Sequence, residues 1–188
     1  MKTDRPVCVT GASGFIAAHV VRELLERGYR VRGTVRSLNT SGRYDFLTSL
    51  PGASDRLALV AAELLTEGSY DEAVADCDVV IHTASPYAVN VKDPQRDLVD
   101  PADKGTLNVL RSAKSARVRR VVLTSSMAAI SDEPVEGKVF TENDWNDQSS
   151  LDRNPYYYSK TVAERTAWMF VEEEKPGFDL VSVNPYMI

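Results

Sequence analysis

Metal chemistry has little to work with in this sequence: it holds two histidines, His19 and His82, and two cysteines, Cys8 and Cys77, with no carboxylate at ligand spacing beside them. A zinc or iron site needs three or four such ligands converging, so no resident metal is expected and His82 reads as a packed strand residue. The cysteines fall in the first strand and at the edge of the fourth, where a thiol behaves as a small buried hydrophobe rather than half of a disulfide. No apolar run is long enough to span a bilayer. Met1-Lys2-Thr3-Asp4 leads almost directly into a strand, which leaves no room for an apolar signal segment. A cytoplasmic protein is the expectation. The charge balance of -5 argues against nucleic acid or an anionic membrane as the main partner. Internal repeats and low-complexity stretches are lacking too, and no serine stands in a GxSxG elbow, which removes the nucleophilic-serine hydrolases.

What remains is an ordinary soluble composition, 43% hydrophobic and 26% charged, in a chain long enough to bury one sizeable core. Its apolar period switches repeatedly between short continuous runs and helical stripes. The pattern predicts strands near 6–10, 30–35, 57–62, 78–82, 119–124 and 179–184. Helices are predicted near 14–27, 43–50, 69–75, 97–116 and 156–173. Such alternation implies an α/β fold, a doubly wound parallel sheet covered on both faces, with strand order 3-2-1-4-5-6 and ligands at the carboxyl ends of the strands. Residues 85–96 and 131–154 read as irregular loops over that end.

Two patterns carry chemistry. Tyr156-Tyr157-Tyr158-Ser159-Lys160 places a phenol and an ammonium four residues apart in a helical segment, so both lie on one face and the ammonium favours phenolate at Tyr156. A phenol tuned in this way exchanges a proton with a carbonyl or alcohol oxygen near neutral pH. At the other end, the strand Val7-Cys8-Val9-Thr10 runs into Gly11-Ala12-Ser13-Gly14-Phe15-Ile16-Ala17. Gly11 permits the tight turn, Gly14 lets backbone approach a pyrophosphate, and the first helical amides, with Ser13, Phe15 and Ile16 around them, are placed to hold phosphate oxygens. After the second strand an NAD site usually has an acid; this chain has Arg36, whose planar cation suits a 2′-phosphate, with Ser37 adjacent and Arg43 near enough to join it. The expected cofactor is therefore NADP(H). The buried run Val121-Val122-Leu123-Thr124-Ser125-Ser126 ends in hydroxyls, one of which can donate to a substrate oxygen.

These motifs together, TGASGFIA, TVRS, HTASP, KGTLNVL, VVLTSS, YYYSK and VNP in that order, resemble the extended short-chain dehydrogenases/reductases. The resemblance is to the branch with dihydroflavonol reductases, cinnamoyl-CoA reductases and ketone or aldehyde reductases. It implies a Rossmann domain over residues 1–188, with the family's small C-terminal substrate-binding part largely absent after Ile188. It further implies Ser126, Tyr156 and Lys160 as the catalytic set, Ser125 standing in reserve for Ser126. Thr83, Ala84 and Ser85 would line the cofactor, Pro185 the nicotinamide carboxamide, Glu63 and Leu64 the adenine, and Thr124 the sheet or the cofactor. Lys160 would also bind the nicotinamide ribose. The partner implied is a small hydrophobic carbonyl compound, with Tyr87, Met127, Phe140 and Trp145 as candidate contacts. Ile130-Ser131-Asp132 replaces the stretch where some dihydroflavonol reductases carry an asparagine for flavonoid hydroxyls. Relatives are monomers or dimers, so a homodimer stays open. An NAD-dependent nucleotide-sugar epimerase or dehydratase and a dinucleotide-binding regulator without turnover are the other readings.

Overall fold

The computed structural model describes residues 4–39, 42–86 and 91–188. Six strands form one parallel sheet in the order β3-β2-β1-β4-β5-β6: β1 (Val7–Val9), β2 (Val31–Val35), β3 (Leu57–Ala61), β4 (Val79–His82), β5 (Arg120–Thr124) and β6 (Asp179–Val183). The short apolar runs form strands because a parallel sheet covered on both faces hides both faces of its centre, so alternation is not required. β1 shows this most clearly, with all three residues buried.

The long helices are α1 (Phe15–Glu26), α5 (Asp100–Ser115) and α6 (Pro155–Glu174); α2 (Asp45–Thr48), α3 (Ala53–Arg56) and α4 (Asp71–Val74) are single turns. One core face packs Ala17, Val21 and Leu25 of α1 with Leu47 and Ala53 against β1 and β2. The other packs Val109, Leu110 and Ala113 of α5 and Ala167 and Phe170 of α6 against β4 and β5. Both cysteines are free and buried in that second cluster.

Two departures from the sequence pattern have local causes. α3 follows Gly52, whose left-handed backbone (φ 80) reverses the chain and starts a turn too short to carry a period. α5 is preceded by a π-helical turn, Gln95–Val99, so helical structure begins earlier than the apolar stripe. Among the described residues no helix is long and apolar enough to cross a membrane, and no three metal-capable side chains gather.

Candidate active site

The strand order reverses between β1 and β4, and the loops leaving their carboxyl ends diverge there. A cleft of about 1280 Å³ opens at that end. Drug-sized pockets reach roughly 1,000 Å³, so this one has room for a dinucleotide and a small substrate together. Its floor is the glycine-rich turn. Gly11 has φ 64, and a Cβ there would lie 3.1 Å from Ala84 Cα, so only glycine lets the two loops meet. Gly14 is extended and caps α1, its N–H donating to Gly11 O at 2.8 Å. The first-turn amides, including those of Phe15 and Ile16, have no acceptor within the helix, as in any helix start. Those two residues and Ser13 line the cleft.

Threonines lock this floor, and sequence reasoning missed them. Thr34 Oγ1 accepts the N–H of Gly11 at 2.9 Å. Thr10 Oγ1 accepts the N–H of Thr83 and of Ala84, each at 3.0 Å, which clamps the β4 exit onto the β1 exit. His82 is indeed buried in its strand, and its Nδ1 lies 2.8 Å from Thr10 Oγ1. Burial, and then the charge of Lys160, push its pKa down to about 3. A hydroxyl at the residue just after β1 was the available signal.

The remaining sequence-nominated residues surround the same cleft. Arg36 and Arg43 line it beyond β2, Glu63 and Leu64 beyond β3, Thr83, Ala84 and Ser85 beyond β4, Thr124 and Ser126 at β5, and Pro185 after β6. Glu63 folds back so that its Oε1 accepts the Leu64 N–H at 3.0 Å. The Thr83 and Ser125 hydroxyl oxygens are buried without a hydrogen-bond partner. Such orphaned groups cost free energy unless something bound completes them. Ser126 caps the 3-10 turn Met127–Ala129, its Oγ accepting the Ala128 N–H at 3.2 Å. Its own O–H therefore remains available to donate. Its carbonyl accepts from Asn184 Nδ2 at 3.1 Å, and that same nitrogen donates to Glu164 Oε2 at 2.7 Å. β5, β6 and α6 are thus tied together behind the serine.

Tyr156 and Lys160 lie in the first turns of α6, which Pro155 opens at a position where a missing N–H costs nothing. Lys160 Nζ lies 5.7 Å from the centre of the Tyr156 ring. Burial lowers the lysine's pKa to about 8, so at neutral pH it is still mainly an ammonium, poorly solvated and beside the phenol. Tyr70 also lines the cleft, and its burial pushes the phenol pKa up.

The aromatic substrate contacts need correction. Of the four residues suggested by the sequence, Met127 lines the cleft. Phe140 instead lies under Lys138, with Nζ 4.3 Å from its centre, and Trp145 lies under Arg165 at 5.0 Å. The half-buried rings on this loop are covered by neighbouring cations rather than by the cleft. Tyr87 falls outside the described residues. Leu98, Tyr157 and Tyr186 form the apolar wall in their place.

The sequence profile of the NAD dependent epimerase/dehydratase family matches residues 7–188. The chain is 50% identical to the cinnamoyl-CoA reductase CAD2 of Medicago truncatula, over 97% of this chain and 57% of that protein. It is 42% identical to the dihydroflavonol 4-reductase of Arabidopsis thaliana, over 97% of this chain and 49% of the relative. Among solved structures it resembles the yeast methylglyoxal/isovaleraldehyde reductase Gre2 complexed with NADPH, with a TM-score of 0.85 and 35% identity over 96% of this chain and 57% of that one. Vestitone reductase from alfalfa gives a TM-score of 0.78 and 33% identity, over 96% of this chain and 56% of that one. The chain thus spans between about half and three-fifths of the length of these relatives.

Proposed function

The chain belongs to the NAD dependent epimerase/dehydratase family, and from that premise we propose that it forms the cofactor-binding and catalytic part of an NADPH-dependent carbonyl reductase. The observation that carries this reading is convergence. The N-terminus of α1, Arg36, Ser126, Tyr156 and Lys160 all open onto one cleft. The residues present fit a dinucleotide phosphate: helix-start amides would meet the pyrophosphate, the turn with no Cβ at Gly11 and Gly14 would let it approach, and Arg36 with Arg43 would meet a 2′-phosphate.

When bound, the reduced nicotinamide supplies a hydride to the carbonyl carbon. Ser126 donates its free O–H to the carbonyl oxygen and holds that oxygen toward Tyr156. Tyr156 gives its phenolic proton to the oxygen as the alcohol forms, and the adjacent ammonium of Lys160 stabilises the phenolate left behind. Lys160 would also donate to a ribose hydroxyl of the bound cofactor. The apolar wall of Met127, Leu98 and Tyr157 favours a hydrophobic aldehyde or ketone and keeps water from the reacting centre.

Calorimetric titration with NADPH and NADH tests the cofactor, and a screen of aromatic and aliphatic carbonyls follows it. NADPH should bind more tightly, and Arg36→Asp should weaken it by about tenfold or more, because a charge-assisted hydrogen bond is worth roughly 1.5–3 kcal/mol. Tyr156→Phe should lose about 10²-fold or more in turnover with NADPH affinity nearly unchanged. An Arg36→Asp variant with the preference intact would remove the 2′-phosphate assignment. Tight binding of NADH alone would turn the reading toward an epimerase or dehydratase.

A further inference from the structure

Ser126 and Tyr156 come from different elements, the end of β5 and the start of α6, and the proposed chemistry needs their hydroxyls held in fixed relation. A misplacement of about 1 Å costs on the order of 10²-fold in rate. Past the 3-10 turn Met127–Ala129, the long segment between them has no regular structure, yet it is pinned by a polar cluster. At its centre is Asp132, whose side chain is wholly withdrawn from solvent.

Three donors converge on that carboxylate. Asn154 Nδ2 donates to Oδ1 at 2.5 Å, Ser149 Oγ to Oδ1 at 3.1 Å, and Arg153 Nε to Oδ2 at 2.6 Å. Burial alone would push its pKa up, and these three bonds outweigh it and hold the carboxyl below the usual range. One arm of the cluster reaches the serine side. Asn146 Nδ2 donates to Ser149 Oγ at 2.7 Å and to Ala128 O at 2.8 Å, and the Asn146 N–H donates to Ala129 O at 2.9 Å. Those two carbonyls belong to the 3-10 turn that Ser126 caps.

The other arm reaches the tyrosine. Asn154 is in the left-handed region (φ 51, ψ 59) and is the residue from which α6 departs, its carbonyl accepting the Tyr158 N–H at 3.0 Å. Asparagine is among the few non-glycine residues that visit that region, its side chain hydrogen bonding to offset the cost, and here one contact from a distant residue fixes that side chain. The carboxylate of Asp132 is that contact. We infer that Asp132 is a positioning residue, which fixes the entry of α6 against the turn after Ser126 and so sets the alignment of Ser126 with Tyr156. The inference rests on the carbonyl-reductase reading of the same cleft.

The test compares the chain with its Asp132→Ala, Asp132→Asn and Arg153→Ala variants in three measurements: NADPH affinity, kcat and KM for a reduced carbonyl, and hydrogen exchange along α6. Asp132→Ala should lower kcat by about 10- to 100-fold, with KM and NADPH affinity within about threefold. It should also speed exchange of the Tyr158 amide about tenfold, leaving the centre of α6 unchanged. Asp132→Asn keeps an acceptor for Asn154 and Ser149 and should restore kcat to within about fivefold of the parent. An unchanged kcat in Asp132→Ala, or an equal loss in both Asp132 variants that follows their stability, overturns the inference. Should Asp132→Ala not fold, Arg153→Ala decides: a kcat reduced about threefold or more at constant NADPH affinity supports positioning, and an unchanged kcat overturns it. If the parent binds NADPH and reduces no carbonyl, the reductase reading fails. The positional claim is then judged on exchange alone, where unchanged protection of Tyr158 overturns it.

Discussion

Thr10 Oγ1 accepts two backbone N–H groups, so its own proton has one direction left to go, toward His82 Nδ1. The imidazole is therefore an acceptor at Nδ1 and carries its proton on Nε2, which faces Thr106 Oγ1 at 3.5 Å. Protonating Nδ1 would break the clamp that joins the two cofactor loops. The folded pKa of about 3 lies below the ordinary imidazole value of 6.5, so the unfolded chain takes up a proton that the folded chain refuses. The sign follows: this contribution to stability is present above about pH 6.5 and is lost as pH falls from there toward 3, with a limiting slope near 1.4 kcal/mol per pH unit. His82→Gln should therefore flatten the acid profile. Urea midpoints at pH 7 and pH 4.5 should give a drop in stability smaller by about 2 kcal/mol in the variant than in the parent. Equal drops would show that His82 is not the group that titrates.

At the scale of elements, β2 presses on the glycine-rich turn through Gly33. A Cβ on Gly33 would lie 2.8 Å from Ala12 Cβ and 3.2 Å from Leu59 Cδ2, and Ala12 has no flexible end to move aside. Gly33→Ala should then displace the turn, costing about 1–3 kcal/mol by overpacking and weakening NADPH measurably. Gly137 is the control, with φ 74 and nothing within 4 Å. Its replacement by alanine should cost about 1 kcal/mol of backbone strain and leave NADPH affinity alone. Urea denaturation and calorimetry on the two variants separate the effects, and equal NADPH affinity in both would remove the coupling between β2 and the turn. The strands and long helices were legible in the sequence because each is fixed by its own pattern: Val7-Cys8-Val9 is a buried run, and Tyr156 and Lys160 share a helical face. The contacts that align the site were not legible. Asp132 with Asn154, Thr10 with Thr83, and Gly33 with Ala12 are meetings of residues distant in sequence, and neither member of a pair shows its partner through periodicity or spacing. Phe140 and Trp145 mislead for the opposite reason, since aromatic character alone does not say whether a cleft or a cation will cover a ring.

For the molecule as a whole, the cleft runs across the strand ends of both halves of a single continuous sheet. Arg36 and Glu63 come from the β2-β3 side, and Ser126, Lys160 and Pro185 from the β5-β6 side. A mononucleotide could be held by one half. A dinucleotide lying across the strand ends must touch both, and its binding free energy then opposes the opening of each. At a concentration 100 times its Kd, a ligand that binds only the folded state adds about 2.7 kcal/mol. For a chain of this size that is a rise in Tm of roughly 5–10 °C. Hydrogen exchange with saturating NADPH should accordingly slow in two separated segments, the turn from Gly11 to Ile16 with the Arg36 loop, and the stretch from Ser125 to Ala129 with the first turns of α6. Adenosine 2′,5′-bisphosphate, which has the adenine and 2′-phosphate and no nicotinamide, should protect the first segment and leave the second as it is in the free chain. Protection by NADPH confined to the first segment would mean that the nicotinamide end does not reach Tyr156 and Lys160, and the hydride-transfer geometry would fall with it.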